Sequence, residues 1–289
     1  DVTVNGTRYK YRGSENANFK YTGTTAQKQV WQNQGYFGGL NTGNNLGYAN
    51  STTPTSAVTY AYSNNNKTLT ITSNQTNAQM MGFGTTVSNG VMLPPWYQSD
   101  TIETVRFVAH SGGTKVKARD LNFMFAGCSK LKSVDFSNLD ASPATSMVYT
   151  FQRCTALESI NLSGLNTANV SSFEGMFDGC TALKKADLSA LNFNNVTTTA
   201  VMFRGCSALT GSINMGTKTT QASDYAVRFP ATNFPKLTQI YRMYRDSGIS
   251  SVNIEGIGTG GNSAMYELVQ NCPNIKSLRI KDFAAGGVD

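Results

Sequence analysis

Between Val170 and Leu191 the apolar residues fall in two sets. The first is Val170, Phe173, Met176, Phe177 and Cys180, spaced by threes and fours, which predicts one apolar face of a short helix. Ser171 and Glu174 stand at capping-box spacing at its start. The second is Leu183, Ala186, Leu188 and Leu191, whose spacing of three and then two predicts a turn running into a short strand. The strand triplets recur along the chain. They are Ile102/Val105/Phe107, Leu131/Val134/Phe136, Leu157/Ile160/Leu162, Leu183/Ala186/Leu188, Leu209/Ile213/Met215, Ile249/Val252/Ile254 and Ile275/Leu278/Ile280. The fifth carries one extra residue, which predicts a bulge. One short strand and one short helix cannot bury their apolar faces alone, so copies must stack on copies around a shared core. The expected fold class is therefore α/β, a leucine-rich-repeat solenoid of about seven turns, roughly 35 Å long at the usual strand spacing.

Cysteine follows the same period. Cys128, Cys154, Cys180 and Cys206 are 26 residues apart, Ser247 takes the place in the sixth copy, and Cys272 restores it in the seventh. A site that accepts serine asks for a small side chain rather than thiol chemistry, so the column is expected to be buried and structural. Disulfides between neighbouring turns are the alternative. They are disfavoured by parallel inward Cβ vectors and by an odd total of five. Without a Cys-x-x-Cys or Cys/His cluster, no metal is expected, and no cofactor.

The repeats "MFAGCSKLKSVDFS", "MFDGCTALKKADLS" and "MFRGCSALTGSINM" resemble the BspA-like leucine-rich-repeat family of bacterial surface proteins. The resemblance runs from about Thr101 to Asp289 and implies a display scaffold associated with adhesion to host matrix proteins, mucus or other cells. It specifies no ligand. The implied setting is extracellular, on a bacterial cell surface, with any signal or anchor outside this chain.

Upstream of the repeats, residues 1–95 do not follow the period and are expected to form a β-rich cap, with the solenoid over 96–289. "AVTYAYSNNNKTLTIT" alternates around Ser63-Asn64-Asn65-Asn66, which predicts a β-hairpin. Trp31, Tyr36 and Phe37 are the candidate carbohydrate-stacking residues of this region. Charged residues make up only 14% of the chain and the net charge is +7, a mild bias toward anionic partners. No Lys/Arg run accompanies a reading helix, so nucleic acid is not an expected partner. No apolar run is long enough for direct membrane insertion.

Departures from the repeat are where function is expected. The largest is an insertion at about 216–236, with Tyr225, Arg228, Phe229 and Phe234, followed by Arg242 and Arg245 on the next copy. Interleaved arginines and rings suit an acidic or glycan ligand. A second candidate is the outward ribbon of strand positions, including Asp135, Asn161, Asp187 and Asn214. The lone histidine, His110, lies beside a short insertion, and no nucleophile, phosphate loop or paired-carboxylate cleft is evident, so an enzyme is not expected. The expectation is an adhesin whose host glycan, mucin or matrix ligand is anionic. The alternative is a stalk or self-assembly module.

Overall fold

The 26-residue period is a backbone hydrogen-bond period. The computed structural model describes residues 2–4, 7–9, 45–48, 54–80, 82–83, 86–87, 90–91, 93–216, 225–231, 234–255, 257 and 265–281. Among them are strands and turns and no helix. Toward the N-terminus run β1 (Val2–Val4), β2 (Thr7–Tyr9), β3 (Asn45–Tyr48), β4 (Pro54–Ser63), β5 (Thr68–Ser73), β6 (Gln79–Met80), β7 (Thr86–Val87) and β8 (Gly90–Val91). The repeats supply β9 (Thr104–Val108), β10 (Val116–Ala118), β11 (Ser133–Asp135), β12 (Leu139–Asp140), β13 (Ser159–Asn161), β14 (Lys185–Asp187) and β15 (Ser212–Met215). They end with β16 (Tyr225–Arg228), β17 (Ser251–Glu255) and β18 (Ser277–Lys281). The helical half of the α/β expectation is therefore corrected: the described chain is strand-rich with parallel sheets.

The segment expected as a helix is a chain of overlapping turns. In the copy at 121–128 the N–H groups of Met124, Ala126 and Cys128 bond to carbonyls three residues back. The alternate N–H groups, of Leu121, Phe123, Phe125 and Gly127, donate instead to Ser146, Val148, Thr150 and Gln152 of the next copy at 2.6–3.1 Å. The alternation repeats from 147–153 onto 172–178, from 173–179 onto 198–204, and from 199–205 onto 239–245. In each segment the alternate N–H groups are thus held by the next row and most of the others within their own. A helix is barred because two residues per row, four apart, have positive φ: Phe123 and Gly127, Tyr149 and Arg153, Gly175 and Gly179, Val201 and Gly205. Gly175 has a second reason to lack a side chain, since the Tyr149 ring lies where its Cβ would stand. The expected capping box does not form. Glu174 N–H bonds to Ser172 Oγ, and Ser171 Oγ donates to Thr145 of the preceding row.

The buried face was nonetheless placed correctly, because threes and fours describe the inward side of these turns as well as of a helix. Val170, Phe173, Met176, Phe177 and Cys180 are all fully buried. Phe125, Phe151, Phe177, Phe203 and Tyr244 stack ring on ring, with centroids 5.4–5.9 Å apart. The cysteines line up beside this stack as free, buried thiols. Cys154, Cys180 and Cys206 each donate S–H to the phenylalanine carbonyl of the row before, Phe125, Phe151 and Phe177, at 3.0–3.2 Å. Cys272 does the same to Tyr244. A hydroxyl fits the same space, and Ser247 lies 3.6 Å from Cys272 Sγ. Burial pushes the thiol pKa of Cys154, Cys180 and Cys206 well up, so they do not ionise at neutral pH.

At the N-terminal end, β4 and β5 form the expected hairpin, turned by Asn64, Asn65 and Asn66 at φ 52–64°. Asparagine tolerates this left-handed region better than most residues. Strand β5 pairs parallel to β9, and the eight-stranded sheet runs β11-β9-β5-β4-β3-β6-β10-β12. Both edge strands belong to one repeat, either side of the Phe136–Leu139 turn, so the sheet wraps around the first rows. Trp96 fills the space beneath, its indole N–H on Met124 O at 2.6 Å and its ring edge-on to Tyr60 and Phe83.

The second parallel sheet runs β13-β14-β16-β15-β17-β18. The insertion thus contributes a strand, β16, wedged between β14 and β15. The bulge expected in the fifth triplet is corrected: the extra residue is on β16. Ser212 pairs with Tyr225 and Ile213 with Val227, leaving Ala226 unpaired, whereas β15 runs regularly against β17.

Two outcomes are expected. A thiol reagent should label the native protein slowly, and five thiols should become reactive on unfolding without reductant. Phe177→Ala, which breaks the ring stack at its centre, should destabilise by about 3–5 kcal/mol, measured by urea unfolding, and Phe177→Leu by much less.

Candidate binding faces

The outward positions of the strands form two registers: Arg106 beside Asp135 in the first sheet, and Asn161, Asp187, Arg228, Asn214, Asn253 and Arg279 in the second. The carboxylates and amides of this ribbon are already occupied in part. Asp135, Asn161 and Asp187 each accept, through Oδ1, the N–H two residues on, at 2.9 Å. These Asx turns end the strand in three successive rows. The Ser137 N–H holds the Asp135 carboxyl below its usual range. Beside the ribbon, charges alternate by row: Glu103 lies 2.8 Å from Lys67 and 2.7 Å from Lys132, and Glu158 lies 2.7 Å from Lys184. The two lysines hold the Glu103 carboxyl down at about 2.

Strand β16 breaks this regular column. It sets Tyr225 near Lys185, whose ammonium is 5.5 Å from the ring centroid, a cation–π geometry. Arg228 stands 3.5 Å from the Asp187 carboxylate, and both side chains are exposed, at 48% and 40%. The other two insertion candidates are corrected. Phe229 and Phe234 are buried, packed edge-on to each other and to Phe193, so they anchor the insertion and face no ligand. Among the described residues of the insertion, Phe229 and Phe234 are core and Tyr225–Arg228 is a strand.

Arg242 and Arg245 lie on the turn segments, away from the strand ribbon. Both reach Glu267 Oε2, at 2.5 and 2.7 Å. Arg242 also lies over the Tyr266 ring, which stacks on Tyr241 at 4.9 Å. The buried Nε of Arg245 sits 3.3 Å from Asp246 Oδ2, close enough for ion pairing but off hydrogen-bond geometry. In the same column, Arg204 clamps Asp178 with two 2.8 Å bonds, and Gln152 adds a third at 3.0 Å. Asp178 is nearly buried, so this is a satisfied internal polar network. Glu174 nearby receives the Tyr149 hydroxyl at 3.4 Å, and burial raises its carboxyl pKa.

The six insertion and post-insertion candidates are therefore divided among three places: Tyr225 and Arg228 on the strand face, Phe229 and Phe234 in the core, Arg242 and Arg245 on the turns. Asn214 lies in register with Arg228 and Asn253. Trp31 and Tyr36 lie outside the described residues. His110 sits in a tight turn, closed by Gly113 N–H on His110 O, with Ser111 Oγ 3.4 Å from its ring. Sequence reasoning passed over Gln152, Asp178 and Arg204, although three large polar side chains one period apart was the available signal.

Residues 119–239 match a family model described as "Mycoplasma protein of unknown function, DUF285". No curated protein matches the chain. Among solved structures the chain is similar to the leucine-rich-repeat protein of T. pallidum (TpLRR), at 12% identity and a TM-score of 0.26, over 80% of this chain and 85% of that one.

Removing the guanidinium at Arg204 strands a nearly buried carboxylate. Arg204→Ala should cost about 3 kcal/mol, the low end for a broken buried pair because Arg204 keeps some solvent contact. Adding Asp178→Asn to that variant should recover part of the loss in thermal unfolding.

Proposed function

We propose that the protein is a BspA-like leucine-rich-repeat solenoid that acts as an adhesin on a bacterial cell surface, without enzymatic activity, binding host glycans, mucin or matrix proteins of anionic character. The observation that carries this reading is the inserted strand. Regular rows turn their polar groups onto one another, whereas β16 brings Tyr225 and Arg228 beside Lys185 and Asp187 on the open strand face. An aromatic ring, two cations and a carboxylate on neighbouring strands suit a hydroxylated, acidic ligand. The family match over 119–239 spans the rows into which this strand is set. Affinity would come from many weak contacts multiplied by display in many copies.

A structural stalk is the second reading. It is favoured by how fully Asp135, Asn161 and Asp187 are used within their own turns. The two part in a binding screen against mucin, fibronectin, fibrinogen and a glycan array at low and high salt. An adhesin of this kind binds at least one and weakens with salt. The combined change Lys185→Ala, Tyr225→Ala, Arg228→Ala should then lower affinity by about tenfold or more. No binding to any ligand would leave the stalk.

A further inference from the structure

A second place where the rows differ in length makes a cleft. After β9 the chain takes nine positions from Phe107 to Val116 before it pairs with the next row, whereas the following row goes from Phe136 to Leu139 in three. That short corner is a single turn, Leu139 N–H on Phe136 O, and the row after it repeats the turn with Leu165 on Leu162. The long corner folds back on itself, with His110 N–H on Thr114 O and Gly113 N–H on His110 O, and returns into β10. It stands beside two shorter corners, and the step leaves a cleft of about 320 Å³. Its lining includes Thr114, Lys115, Lys117, Asp140, Gly164 and Asn166. Gly164, at φ 87°, lies in the lining with open space where a Cβ would stand.

The chemistry of the lining is asymmetric. It holds two lysines and one carboxylate. Lys117 is opposite Asp140 in the β10–β12 register, and its Nζ has only a long 3.4 Å contact to Asn77 Oδ1. Asp140 commits Oδ1 to the Ser142 N–H and keeps Oδ2 as an acceptor. Asn166 commits Oδ1 to the Ala168 N–H and keeps its amide N–H groups as donors. Thr114 adds a hydroxyl. Two cations, a fixed acceptor, a fixed amide donor and a hydroxyl are the complement of a sugar ring that carries one acid group. The volume lies at the small end for ligand pockets, which suits a single saccharide unit.

We propose that this corner cleft binds one acidic pyranose of a host glycan, its carboxylate or sulfate between Lys115 and Lys117 and its ring hydroxyls on Asp140 Oδ2, Asn166 Nδ2 and Thr114 Oγ1. The proposal rests on the glycan-binding reading and assigns it a subsite separate from the β16 face. The test is saturation-transfer NMR of the whole chain with a methyl sialoside, a methyl glucuronide and, as a neutral control, a methyl galactoside. The acidic sugars should bind and the galactoside should not. Lys115→Ala with Lys117→Ala should weaken that binding by at least about tenfold, since two charge-assisted contacts go. The double Lys→Arg variant should retain it, and so should Tyr225→Ala with Arg228→Ala. Equal melting temperatures across the set establish that each variant folds. Unchanged binding in the double alanine variant, or equal binding of galactoside, overturns the cleft. If the acidic sugars fail but mucin or a matrix protein binds the chain, the cleft falls and the adhesin reading stands. If neither binds, both fall.

Discussion

The structure depends on one constraint: each row must satisfy half of the next row's backbone. An unpaired buried N–H or carbonyl costs about as much as a lost hydrogen bond. Here the alternate N–H groups of the turn segments have no partner within their own row. They are satisfied only if the neighbour is in register, and the strands repeat the demand on the adjoining side. Register then decides everything set upon the backbone. It puts Phe151 over Phe125 and under Phe177, and it aims each cysteine at the carbonyl of the row before. A thiol is suited to that place because it is small, apolar enough to be buried, and still a weak donor. The serine at 247 meets the same two requirements.

Side chains reinforce register outside the core. Asn169 and Asn195 donate to Ser142 O and Ala168 O, one row back in each case. Thr197 and Thr238 hydroxyls donate to Ser171 O and Thr197 O. The alternating Lys67, Glu103 and Lys132 form a charge sequence that a slip by one row would set like against like. Exposed pairs of this kind add little stability. Their value lies in penalising the wrong alignment, to which a chain of similar repeats is prone.

Much of this was legible in the sequence and one part was misread for a physical reason. Period, buried face, thiol column and hairpin all follow from where Leu, Phe, Cys and Asn stand. The helix did not, because turns of alternating handedness bury residues at the same threes and fours as an α-helix does. The discriminating residues were Gly127, Gly179 and Gly205, each immediately before a cysteine, together with Gly175. A glycine recurring inside a short apolar pattern marks a left-handed backbone more often than a helix interior. The insertion was misread differently. Phe229 and Phe234 read as ligand candidates because they sit in an irregular segment, yet "YAVRF" has the alternating β-branched and aromatic composition of a half-buried strand. No local signal says that a later strand will slot between two earlier ones, since that is decided by which rows leave a gap.

Equal rows also explain where chemistry is available. Where one repeat follows another without change, the Asx, hydroxyl and amide groups close onto the neighbouring row or their own turn. Such a surface is polar but has few unspent directions. Where adjacent rows differ in length the pattern changes, because the longer row has no counterpart in the same register. Two such mismatches occur in the described chain. At β16 an extra strand enters the sheet while the turn segments at 199–205 and 239–245 stay in direct contact, so the strand face gains a row that the turn face lacks. At the corner after β9 one row is longer than the next two, and Lys115 and Lys117 are among the residues lining the cleft there. Mutating a regular row therefore acts on register and stability, whereas mutating either mismatch acts on what the outer surface can hold. This separation lets near-identical units vary their outer surface at two places without giving up the backbone contacts that join the rows.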